Sequence, residues 1–205
     1  MKNKGFFITF EGTEGSGKST QIRRAAAYLR RAGHDVLVLR EPGGTRVGEQ
    51  IRKVILDKKL KEMTPEAELL LYLAARAQIV REKIKPALQK GKIVICDRFE
   101  DSTVAYQGFG RRMPVPMIRG TSRLFVRGKL QPHLTFVLDI DPEKGMRRGG
   151  RHDRMERESA AFHRRVRQGF LALAKKDPGR CRVLDASDSK EGVWKKVREA
   201  LNRVV

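Results

Sequence analysis

Nine consecutive residues, Gly12-Thr13-Glu14-Gly15-Ser16-Gly17-Lys18-Ser19-Thr20, set glycines, a lysine and hydroxyls in an order suited to one task, holding a polyphosphate. They satisfy G-x-x-x-x-G-K-[ST] without a mismatch. Glycines let successive backbone N–H groups turn inward around phosphate oxygens, and a following helix aims its positive end at the same anion. In such a loop Lys18 reaches the β- and γ-phosphates, and the Ser19 hydroxyl completes a Mg²⁺ shell that otherwise keeps its waters. The bland alternative, a glycine-rich turn beside a solvated lysine, does not account for the strand-like run before the loop and the helical pattern after it. The expectation is a bound nucleoside triphosphate.

A second acidic position follows from the elements that must carry it. Asp97 ends the apolar run Ile93-Val94-Ile95-Cys96, which would place a carboxylate at the carboxyl edge of a sheet, beside the phosphate loop. There it can orient a metal-bound water, or cap the next helix, and the two roles are compatible. Asp139 and Asp141 could form a metal pair, but Asp141-Pro142 reads better as a helix cap. The histidines are scattered without metal-ligand spacing.

The elements themselves are read from periodicity. Phe6 to Phe10, Val36 to Leu39, Ile93 to Cys96, Leu134 to Ile140 and Cys181 to Leu184 are mostly apolar rather than alternating, as expected of strands covered on both faces. Helical spacing fills Ser19 to Arg31, Val47 to Asp57, Thr64 to Gln89, Pro114 to Val126, Glu156 to Lys175 and Lys190 to Arg203. Thr64-Pro65 reads as a cap and first turn, and Pro86 should end or kink the long third helix. Trp194 falls in an amphipathic helix and reads as core packing. This βαβ alternation predicts an α/β fold with a parallel sheet and helices on both faces. No repeat, low-complexity tract or linker divides the chain, so a single domain over 1–205 is expected.

Composition narrows the class without choosing a partner. The 205 residues include 45 Lys or Arg against 24 Asp or Glu, a formal net charge of +21, with 40% hydrophobic residues. That is too apolar for a disordered tail. The longest apolar run, Leu69 to Ala75, is far short of the roughly 20 residues a spanning helix needs. Two cysteines in apolar runs and no signal-peptide pattern at Met1-Lys2-Asn3-Lys4-Gly5 make the cytoplasm the default location. The basic stretch from Arg111 to Lys129 reads as a solvated helix rather than a polyanion-binding face.

Residues for an acceptor site lie near the same sheet edge. Arg40-Glu41-Pro42-Gly43-Gly44-Thr45 follows the second strand, Arg98 follows Asp97, Tyr72 with Arg76 share a helix face at i and i+4, and Thr103 and Gln107 repeat that spacing on the segment after Asp97. A ring that stacks on a base and a guanidinium that bonds its edge would be spaced this way.

Together, Glu11 to Thr20, Arg40 to Thr45 and Asp97-Arg98-Phe99-Glu100-Asp101-Ser102-Thr103-Val104-Ala105-Tyr106-Gln107 resemble the thymidylate kinase family of P-loop nucleoside monophosphate kinases, over a span from about Phe6 to the last helix. The resemblance implies a five-stranded parallel sheet of the P-loop NTPase type and phosphoryl transfer from ATP to dTMP, giving dTDP and ADP for dTTP synthesis. It implies Glu14 and Glu41 near the deoxyribose or the catalytic water and metal network, and Arg52 and Arg98 on the acceptor phosphate. It further implies Tyr72 stacked on thymine, with Arg76, Thr103 and Gln107 at the base's polar edge. It also implies a homodimer. Tyr72 departs from the phenylalanine usual there. Gly15 stands where one subgroup carries a catalytic arginine, so the charge is expected from a short arginine-rich lid at about 145–156. Arg151 and Arg147 are the expected catalytic arginines ahead of Arg148, with an ordinary basic helix end as the alternative. The lid is a few residues shorter than the family pattern.

Two rivals stay open at this point. One is a kinase of another monophosphate or of a nucleoside, since a methyl group is worth only about 1–3 kcal/mol of discrimination. The other is a nucleic-acid-binding P-loop ATPase, motivated by the charge but leaving the acceptor residues idle.

Overall fold

The computed structural model describes residues 5–149 and 153–204. Arg151, one of the expected lid arginines, lies outside the described residues. Five strands form one all-parallel sheet: β1 (Phe6–Glu11), β2 (Val36–Arg40), β3 (Ile93–Asp97), β4 (Leu134–Asp139) and β5 (Cys181–Asp185), in the order β2-β3-β1-β4-β5. Phe10 pairs with Asp97 and Asp97 with Arg40, so the chain leaves β1, β2 and β3 at one edge. The strand order reverses at β1, which is where open α/β sheets open a crevice for ligands.

Both sheet faces are covered, which explains why the strands lack alternation. Ile8, Phe10, Ile95, Phe136 and Leu138 pack on α1 (Lys18–Arg31) and α9 (Lys190–Leu201) through Ile22, Ala25, Leu29, Val193 and Val197. Trp194 is partly buried against this cluster. Phe7, Val94 and Cys96 face the other way, onto Ile79, Val80, Ile84 and Phe99. Cys96 and Cys181 are free thiols inside the fold.

Caps set the helix starts. Thr45 accepts from Gly48 N at α2 (Arg46–Leu56), and Thr64 accepts from Ala67 N at α3 (Pro65–Ile79). Helix α3 ends at Ile79, ahead of Pro86, and the chain stays helical beyond it. A π-helical turn, Val80–Ile84, precedes α4 (Lys85–Gln89), so the ladder is rewired just ahead of the residue that lacks an N–H. After β3 comes a helix that periodicity did not mark, α5 (Glu100–Thr103), continuing as a π-helical stretch, Val104–Gly110. Its surroundings are buried on every side, which erases an amphipathic signal.

Next come α6 (Val115–Ser122) with a π-helical extension, Arg123–Arg127, and α7 (Pro142–Gly149), whose first turn is capped by Asp141 through Glu143 N and Lys144 N. Helix α8 is Ala160–Lys176, starting at its Ser159 cap rather than at Glu156. Arg111 and Arg127, expected in solvent, are paired with Glu68 and Glu158 and with Glu100. Asp139 is bound by Arg167 at 2.7 and 2.9 Å, which leaves no metal pair with Asp141.

Candidate active site

The phosphate loop joins β1 to α1. Gly12, Gly15 and Gly17 have φ of 135°, 67° and 87°, which only glycine adopts without strain. Gly17 is the N-cap of α1 and has no side chain to satisfy the first turn, so that end of the helix is left for an anion. Lys18 lies back along the loop, its Nζ donating to the carbonyls of Gly12 at 3.1 Å and Thr13 at 2.9 Å. Burial, and then repulsion from Arg98, push the Lys18 ammonium down to about 8.

One cavity of about 310 Å³ opens at this edge of the sheet, and residues from every segment singled out above line it. The loop gives Glu14, Gly15, Lys18 and Ser19; the segment after β2 gives Glu41 and Arg52; α3 gives Tyr72 and Arg76. Asp97 and Arg98 come from the end of β3, with Thr103 and Gln107 from the helix behind it. Phosphate loop and acceptor candidates thus share a single hollow. Arg147 and Arg148 are both exposed and neither is part of the wall; Arg148 donates to the Ala186 carbonyl at 3.0 Å.

Ion pairs fix the geometry of that wall. Arg98 has φ 70°, unusual for a residue with a side chain, and its turn is held from below by Glu11, which accepts from Phe99 N at 2.8 Å and Ser102 Oγ at 2.5 Å. Burial, then the nearby Asp101 carboxylate, push the Glu11 carboxyl up to about 8. The Arg98 guanidinium donates to Gly12 O at 2.9 Å and Glu14 Oε1 at 2.8 Å, and stacks over the Tyr106 ring. Burial opposes ionisation of Glu14, but Arg98, Lys18 and the Tyr106 hydroxyl overcome it and lower its pKa.

Arg76 is 1% exposed and makes three directed contacts, from Nε to Glu41 Oε2 at 2.6 Å, from Nη1 to Thr103 Oγ1 at 2.6 Å and from Nη2 to Phe99 O at 2.9 Å. Five guanidinium N–H groups leave two for a ligand. Arg52 donates to Pro42 O at 2.9 Å, and the peptide bond before Pro42 is cis. The Tyr72 hydroxyl has no hydrogen-bond partner among the described residues, and its ring forms part of the cavity wall.

Two oxygen-bearing side chains in the cavity wall are of the kind a divalent cation takes. Asp97 Oδ1 is buried and has no hydrogen-bond partner among the described residues, and Ser19 lines the cavity alongside it. A hard oxygen donor pair with room for waters is the kind of shell Mg²⁺ takes. Periodicity and spacing passed over Tyr106, Ser102 and Glu11, which position the arginines rather than face outward. Asp153, Met155 and Glu156, inside the span expected as the lid but given no role there, also line the cavity. The only signal for Tyr106 was its place inside the motif that begins at Asp97.

The reversed strand order, the glycine loop and the shared crevice define a P-loop nucleotide-binding protein. A family model for thymidylate kinase matches residues 10–197. Among similar proteins, the thymidylate kinase of Deinococcus radiodurans is 50% identical over 204 residues, covering 96% of this chain and 98% of that protein. That of Geobacter sulfurreducens is 49% identical over 210 residues, covering 98% of both. The crystal structure of thymidylate kinase from Ehrlichia chaffeensis superposes with a TM-score of 0.79 at 37% identity, covering 96% of this chain and 98% of that one. The chain belongs to the thymidylate kinase family.

Proposed function

We propose that this chain transfers the γ-phosphoryl group of ATP to dTMP, giving dTDP and ADP. The observation that carries the reading is the common cavity, which Lys18 and Ser19 of the phosphate loop line together with Arg52, Tyr72, Arg76 and Gln107. Donor and acceptor phosphates can meet in line there, and transfer of this kind rests on positioning and charge neutralisation rather than covalent catalysis.

In this assignment the loop from Gly12 to Thr20 holds ATP, and Lys18 takes the β- and γ-phosphate charge. Arg98 and Arg52 hold the acceptor phosphate, with Glu14 fixing the Arg98 fork. Glu41 fixes Arg76, Tyr72 stacks on thymine, and Arg76, Thr103 and Gln107 meet its polar edge. Ser19 and Asp97 would hold Mg²⁺, which when bound neutralises phosphate charge. Arg147 and Arg151 supply the lid's positive charge, worth about 10³–10⁵ in rate for an arginine at a transferring phosphoryl group.

Two further assignments go with this one. The cytoplasm suits two unpaired buried cysteines, and no helix among the described residues is long and apolar enough to cross a membrane. A homodimer would give cover to Leu124 and Phe125, which are 75% and 74% exposed on the Arg123–Arg127 segment. Phe125→Asp should then leave a monomer in sedimentation, and an unchanged sedimentation coefficient argues against an interface there.

ADP release measured in parallel with dTMP, dUMP, dCMP, dGMP and no acceptor tests the activity. Release that depends on dTMP supports it. Equal release without an acceptor removes it.

A further inference from the structure

Gln107 has two ends of similar shape and opposite chemistry, an amide NH₂ that donates and a carbonyl oxygen that accepts. Its neighbours decide which end faces the cavity. Glu68 lies one helical turn before Tyr72 on α3 and is 0% exposed. It accepts from Gln107 Nε2 at 2.8 Å and from Arg111 at 3.1 and 2.9 Å, and it pairs with Arg154 at 2.6 Å. Between two guanidinium groups this carboxyl is ionised, and an ionised carboxylate only accepts. Gln107 must therefore turn its NH₂ toward Glu68. Its carbonyl oxygen is the end left for the cavity that Gln107 lines.

We propose that Glu68 is a positioning residue for base selection, which by fixing the Gln107 amide makes the acceptor pocket favour a pyrimidine with a ring N–H over one with a bare ring nitrogen. Thymine and uracil present an N–H to that oxygen. Cytosine presents a lone pair, and two acceptors brought together in a buried site leave both unsatisfied. The inference rests on the dTMP reading and sharpens it, because it separates selection at the ring nitrogen from selection at the methyl group.

The test compares kcat/KM for dTMP, dUMP and dCMP in the wild type, Glu68→Gln, Gln107→Leu and the double variant. The wild type should prefer dTMP over dCMP by about 10²-fold or more. Glu68→Gln presents either end to Gln107, so the dTMP-over-dCMP preference should fall about tenfold while the dTMP-over-dUMP preference stays within about threefold. Gln107→Leu should lower the same preference, and the double variant should add nothing to it.

A Glu68→Gln variant that keeps the dTMP-over-dCMP preference, or loses all three acceptors in proportion, overturns the assignment. Should that variant fail to fold, Gln107→Leu decides alone, and an unchanged preference overturns it. A wild type that phosphorylates dTMP and dCMP equally removes only the role of Glu68. One that phosphorylates no monophosphate removes the reading beneath it.

Discussion

Gly15 of the phosphate loop and Gly145 of α7 lie backbone against backbone: a Cβ on Gly15 would fall on the Gly145 carbonyl, and a Cβ on Gly145 would fall on the Glu14 carbonyl. Gly15 also has φ 67°, so a side chain there is strained as well as obstructed. This loop has no room for an arginine at position 15, which is the physical reason to look for the missing charge in the segment that α7 begins. Gly15→Ala and Gly145→Ala should each cost about 1–3 kcal/mol in urea unfolding and lower kcat, because backbone rather than a mobile side chain must yield. Unchanged stability in both variants would show that the two segments do not pack as described.

Arg76 and Glu41 form an ion pair with side chains 2% and 3% exposed. Arg76→Met leaves the carboxylate buried without its partner, and breaking such a pair costs about 3–5 kcal/mol. Arg76→Lys should recover little, since an ammonium cannot reach Glu41, Thr103 and the Phe99 carbonyl from one plane. Denaturant titration of both variants gives the answer, and a lysine variant as stable as the wild type would contradict the role of the planar fork.

Glu11 predicts a pH dependence of stability. Its carboxyl has an ordinary value of 4.5 and is pushed up to about 8 in the fold, chiefly by burial. Between those values the folded chain holds a proton that the unfolded chain has released, so stability falls as pH rises through that window and levels off above it. Glu11→Gln lacks this penalty while keeping an oxygen for Phe99 N. The Tm advantage of Glu11→Gln over the wild type should therefore grow from pH 5 to pH 8. A difference that stays flat across that range contradicts the raised value.

Much of this was legible in sequence, for identifiable reasons. The phosphate loop and the end of β3 could be read because their chemistry demands particular residue types at fixed spacing, and the five strands because burial on both faces leaves them apolar throughout. The helix from Glu100 could not be read from periodicity, since Asp101, Ser102, Thr103 and Gln107 are polar yet buried in a hydrogen-bonded network. Glu68 and Glu11 escaped for the same reason. Their importance lies in partners such as Arg111, Gln107 and Ser102, distant in the chain, and only the fold brings these together.

The lid assignment separates its arginines. Both Arg147 and Arg148 are exposed, but Arg148 is tied to the Ala186 carbonyl at 3.0 Å. Replacing Arg147 and Arg151 together by alanine should lower kcat by about 10³-fold or more with a smaller effect on the dTMP KM. Steady-state kinetics check this, and turnover within threefold of the parent refutes the assignment. Arg148→Ala should have the milder effect on kcat.

A crevice that brings a γ-phosphate against an acceptor phosphate should also keep water from taking it. Following the label of γ-³²P-ATP during turnover with dTMP decides whether this one does. Label should appear in dTDP, with little in inorganic phosphate, and both should be lost in Lys18→Met. Label released as inorganic phosphate at the same rate with and without dTMP would contradict it.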